Sequence, residues 1–378
     1  MSQEPFGDIP LFREIQRLLA SEEGPVNFEI ARQIALAVAT QGAPEPAIDP
    51  GAARSLAEHV RSGEVLVAGY TRLPFDEPIR SEVITPSAWV RTTLHGWRWV
   101  LEHLARRLGA EVAKLGGESG VEPVAGALGQ VGPLLMGMQV GTLVGQLAKE
   151  SLARYDLPIP RDDDGHLLFV GSNLERVASE YGFERDAFHA WLAVESVARH
   201  LVLTTVPWAQ RYLRSLLTEV VDAIEVDVSD LERRFIELQS KGMEALQEGF
   251  GADGVLPIVP TERHERALGR LRSFLALLEG YATHAVDAVA AQMLRDRERI
   301  DEGMARRRAA TSEGESLLAG VLGISVDRAL ETSGSTFCSA VVQLKGIVAL
   351  NRAWDAPDNV PSAPEIRDPF AWMERHGL

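Results

Sequence analysis

The sequence predicts a mainly α-helical protein with one or two short strands. Three features carry that expectation. Apolar residues recur at three- and four-residue intervals through long stretches, above all 185–203 and 262–293. Cap and turn residues such as Asn27 and the Gly24-Pro25 pair punctuate them. Only the short runs 65–68 and 166–170 read as strands, and no internal repeat of fixed period is present.

Taken in order, Asp8-Ile9-Pro10 is a start signal for a short helix over 10–20. After the turn at Gly24-Pro25-Val26, Asn27 caps a helix over 28–40 that should bury Ile30, Ile34 and Val38. The Ala-rich stretch 50–62 is the next helix, and 65–68 the first candidate strand. Thr85-Pro86-Ser87-Ala88 opens a helix rich in large residues, with Ser87 as its cap. A Gly-rich loop spans 109–123. The helix after it, about 132–154, carries Gly137, Gly141 and Gly145 four apart, a side-chain-free stripe that lets another helix approach closely.

Leu157-Pro158-Ile159-Pro160 and Arg161-Asp162-Asp163-Asp164-Gly165 read as a surface connector without the ligand spacing of a calcium loop. The run 166–170 is the better strand candidate, and Asn173 is expected to cap a helix ending at Tyr181. The stretch 185–203 is the most apolar helix; 208–224, 229–248, 262–293 and 332–354 follow, with a charged stretch over 295–308 and a short segment at 325–330. A Pro-rich tail over 357–369 precedes Phe370 and Trp372, two aromatics expected to dock. The chain reads as one compact unit over 1–378, divisible into lobes 1–160 and 161–378.

Hydrophobic content of 46% with 24% charged residues fits a soluble protein with a substantial core. A net charge of −16 offers no basic face to phosphates, so nucleic acid is not an expected partner. The uncharged stretch 123–148 is long enough to span a bilayer. Its glycines, Pro133 and glutamines make it weakly hydropathic, and no membrane span is expected. Cys338 is the single cysteine, so neither an intramolecular disulfide nor a multi-cysteine zinc site can form. Its apolar neighbours mark a buried thiol, and a cytoplasmic protein without a signal peptide is the expectation.

No phosphate-binding G-x-x-x-x-G-K-[ST], no dinucleotide fingerprint, no G-x-S-x-G and no H-E-x-x-H occurs. The nine histidines include no pair at i,i+3 or i,i+4, the spacing that sets two imidazoles on one metal. A helical metal site would have to join His200, His284 and an acid such as Glu279 from different helices. The helix over 186–203 nevertheless carries Glu195, Ser196, Arg199 and His200 on an apolar background. Glu195 and Arg199 stand i,i+4 with the acid first, which predicts an ion pair. Ser196 and His200 share that spacing but lack a third group and oxyanion donors. Glu195, Ser196 and His200 are the candidate catalytic residues. Over 274–291, Glu279, Thr283, His284 and Asp287 form a polar stripe.

The run Trp191-Leu192-Ala193-Val194-Glu195-Ser196-Val197-Ala198-Arg199-His200, followed by Val206-Pro207-Trp208, resembles the metal-binding region of the zincin-like metallopeptidase type 2 family. That family is mostly bacterial and carries W-x-x-L-H-E-x-x-H before V-P-W. Further pieces in order resemble it: Gly7-Asp8-Ile9-Pro10, Gly24-Pro25-Val26-Asn27, the glycines 137 to 145 with Tyr155-Asp156-Leu157-Pro158, Leu277-Leu278-Glu279-Gly280-Tyr281-Ala282, and Asn359-Val360-Pro361 through Trp372. The resemblance implies a zincin-like helical fold and, for the family, zinc.

The departures bear on function. Counted back from Val206-Pro207-Trp208, the family's two histidines fall on Glu195 and Arg199 and its glutamate on Ser196. Shifted by one, Glu195 keeps the base position and Val194 and Ala198 replace the ligands. A further family histidine is Tyr281 here, with His284 one turn on. Arg has no lone pair for zinc, and fewer than three protein ligands would hold it weakly. No cofactor is therefore expected. Arg199 is expected to stand in as a fixed positive charge between Glu195 and Glu279, in a degenerate cleft with Tyr281 and His284. The reading is a non-peptidase that binds a protein or small molecule, or alternatively a hydrolase with a rearranged site in the same cleft.

Overall fold

The computed structural model describes residues 24–74, 77–115, 122–157, 159–163, 165–226, 258–259, 261–293, 296–310, 313–322 and 328–378. The helices expected over 10–20 and 229–248 lie outside these residues. The fold is mainly helical: α1 (Phe28–Thr40), α2 (Pro50–Thr71), α3 (Pro86–Gly96), α4 (Arg98–Leu115), α5 (Glu122–Glu150), α6 (Gly171–Tyr181), α7 (Arg185–Thr205) and α8 (Ala209–Asp222) precede the long α9 (Glu262–Met293). Then come α10 (Arg297–Ala309), α11 (Glu313–Leu322), α12 (Arg328–Lys345), α13 (Ile347–Leu350), α14 (Ala363–Arg367) and α15 (Pro369–Arg375). Among the described residues no helix is long and apolar enough to cross a membrane.

Local signals explain most of these elements. Asn27 caps α1, its Oδ1 accepting from the Ile30 N–H at 3.0 Å. The side chains that α1 buries are Phe28, Ala31 and Ala35, while Ile30, Ile34 and Val38 are only half-buried. The glycine stripe of α5 is the reason. A Cβ at Gly141 would stand 2.7 Å from the Ala31 carbonyl oxygen, so the two backbones meet where the side chains are smallest.

Several expectations are corrected. Residues 65–68 belong to α2: Leu56, Val60, Gly63, Val67 and Thr71 are all buried at helical intervals, and four apolar residues are too few to override that period. The α3 cap is Thr85, which accepts from Ala88 N–H at 3.2 Å, and Ser87 is already in the first turn. Asn173 sits inside α6 and donates to the carbonyls of Ala148 and Ser151, tying α6 to the end of α5. The stretch 332–354 breaks at Gly346, whose φ of +82 ends α12. Trp372 docks fully and Phe370 does not; it is 66% exposed. Cys338 is buried as expected.

Two parallel strands, β1 (Ser81–Ile84) and β2 (Leu167–Val170), pair with Ser81 opposite Leu167. A short antiparallel pair, β3 (Glu225–Val226) and β4 (Ile258–Val259), is peripheral to the site. The segment after α5 lies along β2, with Arg154 N–H donating to Leu168 O at 2.9 Å. It is then pinned by Trp97 and Trp99, whose indole N–H groups donate to the carbonyls of Ile159 and Pro160. The expected surface connector is therefore built in: Ile159, Pro160 and Arg161 are buried. Asp163, expected to be solvated, pairs with buried Arg154 at 2.6 Å.

Candidate functional site

Helix α7 is buried on every side from Ala187 to Leu203, packed chiefly against α2 and α9. Such a helix is ordinarily apolar all round. The polar groups on this one therefore need partners close by.

Glu195 and Arg199 stand one turn apart, with Nη1 to Oε2 at 3.3 Å. Across the interface with α9, Arg199 donates to both oxygens of Glu279, from Nε at 2.9 and 3.0 Å and from Nη2 at 2.6 Å. Arg308 of α10 donates to the second oxygen of Glu195 at 2.5 Å and lies 5.7 Å from the Trp191 ring. The result is an alternating row, Arg308, Glu195, Arg199, Glu279, of zero net charge. Burial alone would raise the Glu195 carboxyl; Arg199 and Arg308 outweigh it and hold it at about 2. Desolvation works against the Arg199 charge, but Glu195 and Glu279 more than offset it and raise its proton affinity. Arg308 was not visible as a site residue from sequence, since nothing separates it from Arg306 and Arg307 beside it.

The other predicted residues turn elsewhere. His200 Nδ1 lies 2.8 Å from the Tyr155 hydroxyl. Ser196 is buried, and among the described residues no hydrogen bond joins it to His200. Tyr281 donates to Asn351 Oδ1 at 2.8 Å, and Asn351 is itself anchored on the Thr71 carbonyl. His284 Nε2 lies 2.7 Å from the Tyr70 hydroxyl. The two imidazoles of the conceivable metal set thus face different tyrosines. Among the described residues no three His, Cys, Asp or Glu groups stand where they could hold a metal ion.

Two buried imidazoles should make stability pH-dependent. Burial, then the Arg154 charge, pushes His200 down to about 4; burial, then His59, does the same to His189. Between the ordinary value near 6.5 and about 4, the unfolded chain takes up protons that the folded chain refuses. This stabilisation is complete above 6.5 and drains away as pH falls to 4. Urea midpoints measured across that window should fall steadily, and the slope should be shallower in His200→Phe; an unchanged slope would contradict the assignment.

The sequence profile of a family described as zincin-like metallopeptidase matches residues 26–373. The chain belongs to the zincin-like metallopeptidase family. A solved structure from Chloroflexus aurantiacus, described as a candidate hydrolase with a novel fold, superposes with a TM-score of 0.67 at 24% identity, covering 93% of this chain and 99% of that one. At that identity the likeness is one of fold. No curated protein matches in sequence.

The zinc that the zincin-like family implies does not fit the donors in the α7–α9 row. A guanidinium fills the space between the two carboxylates, both oxygens of each are taken by N–H groups, and Arg199 and Arg308 would repel a divalent cation.

Proposed function

We propose that this zincin-like family member has exchanged its metal for the Arg199 guanidinium and works without peptidase chemistry, binding a protein or a small molecule. The observation that supports this is the fork of Arg199 on Glu279, completed by Glu195. The fixed charge stands between both acids where a metal would stand, and each carboxylate oxygen already faces a guanidinium N–H. Protein purified without chelator should contain far less than one zinc per chain by elemental analysis and should not cleave casein. One zinc per chain would overturn the proposal. The lone, buried cysteine supports a reducing compartment, and we place the protein in the cytoplasm.

One observation favours a second reading, a hydrolase with a rearranged site. His200, neutral at neutral pH, meets the Tyr155 hydroxyl beside a cavity, and the structurally similar protein is described as a candidate hydrolase. A neutral imidazole is the form a general base requires. Ester hydrolysis that disappears in His200→Gln would select this reading.

A further inference from the structure

The cavity beside Tyr155 has a volume of about 200 Å³. Arg154, Arg161 and Asp163 supply its charged walls, and Ile159, Leu203 and Leu213 much of its apolar surface. The two guanidiniums are in different situations. Arg154 is fully engaged, donating to both oxygens of Asp163 at 2.9 and 2.6 Å and to the His166 carbonyl at 3.2 Å. Arg161 is not. Among the described residues no hydrogen bond or ion pair reaches its guanidinium, and its Nη1 is buried without a partner although the residue is only 5% exposed.

What holds Arg161 there is aromatic and steric. Its guanidinium lies 5.3 and 5.6 Å from the ring centres of Trp89 and Trp97. Its stem crosses α3 at Gly96, where an added Cβ would stand 2.8 Å from Arg161 Cβ. The Asp162 N–H donates to the Gly96 carbonyl at 3.0 Å, and the Asp162 carboxylate turns away to Arg214. Burial, then the neighbouring Arg154 charge, pushes the Arg161 pKa down to about 9, so the group is still charged at neutral pH. A buried guanidinium without a hydrogen-bonded partner is costly even with Asp163 and Asp156 near enough to act on it, and a ligand that completes it would offset that cost.

The charge balance names the ligand class. Among the lining residues two guanidiniums face one carboxylate. A further acid acting on Arg161, Asp156, is held by the Leu152 and Ala153 N–H groups outside the lining. The cavity wall itself therefore has one positive charge to be matched. A planar monoanion suits the guanidinium fork, whereas a phosphate dianion would bring a second negative charge against Asp163. The volume is below the ~300–1,000 Å³ of sites for drug-sized ligands, so the ligand is small. We propose that this cavity binds a small organic carboxylate, with Arg161 taking the carboxylate and Ile159, Leu203 and Leu213 the apolar remainder.

This holds whether or not the chain carries zinc or hydrolyses anything, and binding is its readout. Isothermal titration of the full chain with benzoate, with its neutral isostere benzamide, and with inorganic phosphate tests it. Benzoate should bind saturably, benzamide and phosphate at least about tenfold more weakly. Benzoate should also change the emission of Trp89 and Trp97. Arg161→Gln should lose the site. Thr204→Trp, at an exposed position on the cavity wall, should block it without disturbing the guanidinium should the first variant not fold. Absence of saturable benzoate binding, equal binding of benzamide or phosphate, or full affinity in folded Arg161→Gln would overturn the proposal.

Discussion

Arg199→Leu is expected to lower stability by about 3–5 kcal/mol, because it removes the central cation and leaves two carboxylates facing each other in a site with little water. Glu195 keeps Arg308, which is half-exposed, but Glu279 loses every partner within the row. The triple change Glu195→Leu, Arg199→Leu and Glu279→Leu should recover most of that loss, since apolar replacement of buried ion partners is often neutral or stabilising and the Arg308 left over is half-exposed and can turn to water. Arg199→Lys should fall between, retaining charge but not the fork. Urea unfolding followed by circular dichroism measures all three. A cost below about 1 kcal/mol for Arg199→Leu would mean that water reaches the row and the carboxylates are hydrated there.

Gly280→Ala is expected to cost about 3 kcal/mol, the upper end of overpacking effects. Helices α9 and α12 touch backbone to backbone at this point. A Cβ at Gly280 would stand 2.3 Å from the Gly334 carbonyl, and one at Gly334 only 2.0 Å from the Ala276 oxygen. Neither neighbour is a flexible side chain that could move aside. Gly280 lies between Glu279 and Tyr281, so a wider seam also shifts the carboxylate that Arg199 grips. The control is in the same helix: Gly269 has nothing within 4 Å of an added Cβ, and Gly269→Ala should stabilise by up to about 1 kcal/mol through helix propensity. If both substitutions raise the thermal midpoint, the seam is looser than the backbone contact requires.

The contrast between those glycines shows where sequence reasoning stops. The 3.6-residue period placed α1, α7 and α9 well, because each has a long apolar face. It could not say that Gly137, Gly141 and Gly145 meet Asn27, Ala31 and Val38, which depends on another helix. The run 65–68 misled because a short apolar run has no period of its own. At the site, the i,i+4 spacing exposed Glu195 with Arg199, and the second helix suggested Glu279. Arg308 and Tyr155 come from segments more than a turn away in sequence, and the chain offers no local signal for either. Arg161 falls in the stretch expected to be a surface connector, and the two tryptophans that hold it are on α3 and at the α3–α4 junction.

The enclosure of α7 has a consequence during synthesis. Its two long-range ion pairs span 80 and 113 residues. At roughly 5–20 residues per second, the ribosome finishes α7 about 5–20 s before Arg308 leaves it. Until α9 is made, for most of that interval, an apolar helix carries two charges with no distant partner and no cover from α9; Glu195 waits longest, for Arg308. The nascent chain is therefore most vulnerable to aggregation before the α9–α10 segment is made, and truncations ending short of Glu262 should need chaperones that the full chain outgrows.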